Sequence, residues 1–110
     1  MPHLKLYLDD RHLPRQRDGL ADLLQDLRAI LCRALSEPPG ACQLSVLPVI
    51  GLAGQAECCL ELTYPPKESL TPETLRALAG QLQTTVIAAT GLRATIWLKA
   101  LDPQGDLALR

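Results

Sequence analysis

Position 2 of the chain is a proline, directly behind Met1 in the stretch MPHLKLYL. If Met1 is removed, Pro2 carries a free secondary amine fixed to the start of a strand. Such a nitrogen can take and return protons. A general base works best with a pKa near ambient pH. An α-amino group starts at about 7.7–8.0, and a proline amine somewhat higher. Burial and nearby cations both push an amine downward. Lys5, Arg11 and Lys99 are the cations available for that task. The ring also removes one torsion, so the nitrogen is well aimed. A retained Met1 turns the same nitrogen into an amide, which is no base. The structural account of Pro2 is simpler: the first residue of a strand is among the few places a sheet tolerates proline.

Other residues offer less chemistry. His3 and His12 have no serine or cysteine motif beside them, and His3 should lie on a polar strand face. Cys32, Cys42, Cys58 and Cys59 form no CxxC and no zinc-ligand spacing. They read as small buried hydrophobes, with adjacent Cys58 and Cys59 on opposite faces of a strand. GLAG at 51–54 lacks the context of a phosphate loop and reads as a turn. Glu57 and Glu61 are too far apart along a strand for an assured acid–base pair. No metal or cofactor is expected.

Composition narrows the classes further. The 110 residues are expected to form one domain, 1–110, and 47% hydrophobic content can build a real core. A net charge of −1 and 3% aromatics argue against nucleic acid, which needs a basic footprint or stacking platforms. No apolar run is long enough to span a membrane, so no membrane partner is expected. The N-terminus lacks the basic segment and apolar stretch of a secretory signal. The cytoplasm is therefore the expected compartment, with the cysteines as thiols.

The elements that must position Pro2 come in two copies of one unit. Leu4, Leu6 and Leu8 alternate with His3, Lys5 and Tyr7, which predicts a half-buried strand. Leu20, Leu23, Leu24, Leu27, Leu31 and Leu35 repeat at helical spacing. This helix starts at Pro14 or, in a shorter version, behind an Asp18 cap. SEPPG at 36–40 ends it, and a second strand follows from about Cys42 to Val49. The pattern restarts with Cys58, Leu60 and Leu62. Thr71 and Pro72 open a second helix, and Gly91 closes it. A last strand runs from about Arg93 to Leu101, and the tail DPQGDLALR leaves room for a short edge segment.

The pseudo-repeats are thus 2–49 and 57–101, in the order β-α-β, β-α-β. Each helix is long enough to cross back over its sheet, making the strands of each half parallel. The fold class is α+β: a tandem β-α-β repeat forming a four-stranded mixed sheet with two helices on one face. The other face carries His3, Lys5, Tyr7, Gln43, Ser45, Glu61, Thr63, Thr95, Trp97 and Lys99. It is too polar for a dry core, yet it includes Trp97 and Tyr7. Subunit contact around a wet centre satisfies both features.

A proline directly after Met1, opening the first strand of a tandem β-α-β chain of this length, resembles the tautomerase superfamily. The macrophage migration inhibitory factor and 5-carboxymethyl-2-hydroxymuconate isomerase groups are similar in size, and Met-Pro-His also begins members of the second. ALSEPPGACQLSVLP at 34–48 resembles a passage of the first group, and LDDR at 8–11 a step of 4-oxalocrotonate tautomerase. The resemblance implies a homotrimer with sites between subunits at the N-terminal proline. It implies keto–enol isomerisation of a small keto acid or enolisable ketone, with Pro2 as base and then acid.

Carried over residue by residue, Pro2 is the catalytic position and Arg11 the binder of a substrate carboxylate. Thr95 and Trp97 fall at polar and aromatic pocket positions, and Tyr64 near the rim. Glu37 stands where the inhibitory-factor group has a pocket Lys, and Gln43 where 4-oxalocrotonate tautomerase has an Arg. That depletion favours a mono-acid or neutral ketone over a dicarboxylate. Two alternatives stay open: a catalytically silent trimer acting as a binding or scaffold protein, and a ferredoxin-like module, which shares the element order.

Overall fold

The computed structural model describes residues 1–101, so the tail from 102 onward lies outside the described residues. Four strands form one sheet in the order β2-β1-β3-β4: β1 His3–Asp9, β2 Gln43–Val49, β3 Cys58–Tyr64 and β4 Ala94–Ala100. β1 runs parallel to β2 and antiparallel to β3, and β3 runs parallel to β4. The two β-α-β units therefore join through their first strands, and β1 and β3 form the centre of the mixed sheet.

Register follows from the two-residue alternation. Leu4, Leu6 and Leu8 are almost wholly buried, and across the central pair Leu4 meets Leu62 while Leu6 meets Leu60. These side chains face helices α2 (Leu20–Leu35) and α3 (Pro72–Thr90), through Leu23, Leu27, Leu31, Leu78, Leu82 and Val86. The chain has no Phe, so leucine supplies most of the core volume. Each fully buried leucine side chain contributes about 1.5–3 kcal/mol.

The entry to α2 differs from both expected starts. Pro14 lies in a separate short helix, α1 (Leu13–Gln16), and a 3-10 turn at Arg17–Gly19 leads into α2. Gly19 precedes α2 and no side chain caps it, so Asp18 is not the cap. Gln16 compensates by donating from Nε2 to the Thr90 carbonyl at 2.9 Å, tying α1 to the end of α3. The exit from α2 is a left-handed turn at Ser36, φ 53°. Glu37 N–H reaches back to the Cys32 carbonyl and Ser36 N–H to Arg33, which satisfies two terminal carbonyls. α3 follows the sequence closely: the Thr71 hydroxyl accepts from Thr74 N–H, Pro72 opens the helix, and Gly91 ends it at φ 71°.

Two outcomes check this packing. Leu60→Ala, at a wholly buried site, should cost about 2–5 kcal/mol in chemical denaturation, whereas Glu68→Ala, exposed in the loop after β3, should change stability by less than about 0.5 kcal/mol. Ser36→Gly should stabilise the protein by up to about 1 kcal/mol, because glycine adopts the left-handed turn without a steric penalty.

Candidate active site

Pro2 sits at the head of the central strand with its ring buried. Its carbonyl accepts a hydrogen bond from Gln43 N–H at 3.0 Å, which extends the β1–β2 ladder by one step. Continuing the β1–β3 register past His3 and Thr63 brings Tyr64 opposite Pro2. Tyr64 is buried on the helix-facing side of β3. Its carbonyl accepts from Leu101 N–H at 2.8 Å, which pins the neighbouring end of β4.

The structure also brings a cation to this end that the sequence reading missed. Lys67, in the loop after β3, donates from Nζ to the Leu35 carbonyl at 2.8 Å and to Glu37 Oε1 at 2.9 Å. The ammonium caps the C-terminal end of α2, where cations are favoured. Its partner is Glu37, the residue whose sign departs from the resemblance. Nothing in YPPKES marks Lys67 in advance, because a loop lysine has no periodicity to read.

Arg11 lies elsewhere. It follows the far end of β1, where Asp9 is seven residues from Pro2 along an extended chain, or ~23 Å. Asp9 holds it: Asp9 Oδ1 accepts from Arg11 Nε at 2.9 Å and from its backbone N–H at 3.0 Å, and Oδ2 accepts from Nη2 at 2.6 Å. Asp9 is the one charged residue buried among the described residues, at 6% exposure. These hydrogen bonds from Arg11 hold its carboxyl down at about 2. Arg93 and Glu57 form a second ion pair, 3.2 Å between Nε and Oε2, and Glu57 carbonyl accepts from Asp9 N–H. One chain therefore does not bring Arg11 and Pro2 together.

The open sheet face is ordered in rows. Gln43, His3, Thr63 and Lys99 align across the strands, then Ser45, Lys5, Glu61 and Trp97, then Leu47, Tyr7, Cys59 and Thr95. Thr95 thus lies toward the Asp9 end and Trp97 at mid-sheet, both exposed, Trp97 at 69%. His3 Nε2 lies 3.4 Å from Ser45 Oγ. Burial first, and then the Lys5 charge, lower its pKa, with Glu61 opposing. A groove of about 310 Å³ lies between α2 and the start of β2, lined by Leu24, Gln25, Arg28, Cys42, Gln43 and Leu44. Pro2 is not in its lining.

No family model matches the sequence, and no curated protein matches it at a significant level. Solved structures do match. A fused 4-OT, solved as an asymmetric trimer, has a TM-score of 0.74 at 19% identity, over 97% of this chain and 91% of that one. The macrophage migration inhibitory factor-like protein of Entamoeba histolytica gives 0.71 at 12% identity, over 94% and 91%. A member of the cis-3-chloroacrylic acid dehalogenase family gives 0.72 at 11%, over 96% and 79%. All three belong to the tautomerase superfamily.

The chain has the tautomerase fold. The likeness covers both β-α-β units, so the ferredoxin-like alternative, which shares only the element order, is not needed. Among the described residues no helix is long and apolar enough to cross a membrane.

The Asp9 clamp makes a pH prediction. The folded carboxyl titrates below its ordinary value of 3.8. Its stabilising contribution is therefore present above about pH 4 and is lost as pH falls toward 2. Wild-type stability, followed by denaturant titration across that window, should fall in a step that Asp9→Asn lacks.

Proposed function

We propose that this protein, once Met1 is removed, is a tautomerase or isomerase of small enolisable keto acids, with the Pro2 amine as general base and then acid. The observation that carries the reading is the seat of Pro2. It heads the central strand of a fold shared with 4-OT, fixed by the ladder bond to Gln43 and flanked by Tyr64. An amine held there removes a proton from carbon and returns it to the enol or enolate, with no change in redox state.

The site is completed by a second copy of the chain, in a homotrimer. Arg11 supports this, because Asp9 holds it beyond the far end of β1, ~23 Å along the strand from its own Pro2, where it is open to another copy's site. The exposed Trp97 on the open sheet face, and Ile50 and Leu52 in the loop after β2, supply apolar surface for subunit contact. Thr95 and Trp97 reach the pocket from that face, and Tyr64 forms its inner wall. The charges support a mono-acid or neutral ketone. Arg11 is already matched by Asp9, and Lys67 by Glu37, so little unopposed positive charge remains for a second carboxylate. No metal or cofactor is required, and the compartment proposed is the cytoplasm.

A second reading is a trimer of the same fold that is catalytically silent and acts as a binding or scaffold protein. A retained Met1 favours it, because the Pro2 nitrogen is then an amide.

Protein made with its native start should lose Met1, as read by intact mass. It should run in light scattering at three times the 12.0 kDa chain mass, and should ketonise the enol of an aryl pyruvate. Pro2→Ala should lower kcat/KM by about 10²–10⁴, the usual contribution of general acid–base catalysis. A retained Met1, or no turnover by the native-start protein, leaves the silent trimer as the better account, and turnover unchanged by Pro2→Ala removes Pro2 as the base.

A further inference from the structure

Cys32 and Cys42 belong to different elements, yet their sulfurs lie 3.1 Å apart. Cys32 is in the last turns of α2 and Cys42 precedes β2, with the SEPPGA turn between them. Both are free thiols and both are largely buried. The contact has two structural causes. The left-handed turn at Ser36 reverses the chain, with Glu37 N–H bonded to the Cys32 carbonyl. A 3-10 turn at Pro39–Ala41 then delivers Cys42 back beneath the helix, its N–H bonded to the Pro39 carbonyl. The proximity is thus built by the backbone. Cys42 also lines the open groove beside α2, which gives a small molecule a way in.

We propose that Cys32 and Cys42 are a dithiol that closes to an intramolecular disulfide when it meets a low-molecular-weight disulfide. Closure moves the sulfurs by only about 1 Å, from contact to a bond of about 2.05 Å. The exchange balances without another reagent. Cys42 loses its proton and attacks one sulfur of the small disulfide, expelling a thiolate that takes up a proton. Cys32 then loses its proton and attacks Cys42 Sγ, expelling the second small thiol. Two protein thiols are oxidised and one small disulfide is reduced to two thiols.

Burial first, and then the hydrogen bond its thiol shares with Cys32, push Cys42 up to about 12. Of the charged groups facing it, Glu37 raises it further and Arg28 on α2 opposes. The entry step is therefore slow at neutral pH, and the pair stays reduced unless such a disulfide accumulates. The bridge stitches the end of α2 to the strand whose first N–H holds the Pro2 carbonyl. The inference does not rest on catalysis by Pro2.

The test uses the full chain and oxidised glutathione at pH 9. The folded protein should lose the mass of two hydrogen atoms, peptide mapping should join Cys32 to Cys42, and dithiothreitol should reverse both. Tm should rise by about 5–15 °C on oxidation, as expected for a short closed loop in a small domain. Cys32→Ser should instead stop at a glutathione adduct on Cys42, with no rise in Tm. The wild-type mapping stands alone if that variant fails to fold. Four thiols left free in the folded protein, a bridge involving Cys58 or Cys59, or a wild type that stops at the glutathione adduct would each overturn the proposal.

Discussion

Alternation along β1 is the constraint on which the rest depends. Leu4, Leu6 and Leu8 each lose nearly all contact with solvent, and they are hydrogen-bonded into strands on both sides. A slip of one residue would turn all three outward and bring His3, Lys5 and Tyr7 under the helices. The leucines therefore lock the register. A locked register fixes the two ends of the strand: Pro2 between the start of β2 and the end of β3, and the Asp9–Arg11 pair at the opposite edge. The same alternation leaves the other sheet face half polar, in ordered rows of which the middle one ends on the exposed Trp97. Packing of the core thus decides both where the Pro2 nitrogen sits and which sheet face is left open.

Charge in this protein is settled locally. Among the described residues three ion pairs, Asp9–Arg11, Glu37–Lys67 and Glu57–Arg93, each join a strand end or helix end to a neighbouring segment. The first differs from the others. Its carboxylate is buried and accepts three hydrogen bonds, all from Arg11. The guanidinium is held in one orientation while remaining 55% exposed. An arginine fixed by such a fork is aimed, and its remaining N–H groups point away from Asp9. Its positive charge is partly spent, which bears on the substrate class proposed.

Much of the fold was legible because it rests on periodicity. The order of elements, the parallel pairing within each half, and the division of His3, Lys5 and Tyr7 from their leucine neighbours all follow from two-residue and helical spacing. Thr71, Pro72 and Gly91 act through local backbone chemistry, so they were readable too. The start of α2 was not. Three weak signals, Pro14, Asp18 and Gly19, compete there, and a tertiary bond from Gln16 to the end of α3 decides the outcome. The site was legible only in part. Pro2 and its neighbour Tyr64 follow from register. Lys67 reaches Glu37 through a loop whose path no spacing encodes. The Cys32–Cys42 contact depends on a left-handed serine, a conformation the sequence does not advertise.

The central proposal is geometric: Pro2 and Arg11 of one chain lie at opposite ends of β1, so the proposed cleft takes them from two copies. Mixing Pro2→Ala and Arg11→Ala subunits by co-expression tests this directly. Each variant alone should be impaired in enol ketonisation, while mixed oligomers should recover activity, because some clefts pair an intact Pro2 with an intact Arg11 from its neighbour. Mixed oligomers no more active than their parents, or an Arg11→Ala protein as active as the wild type, would contradict the account.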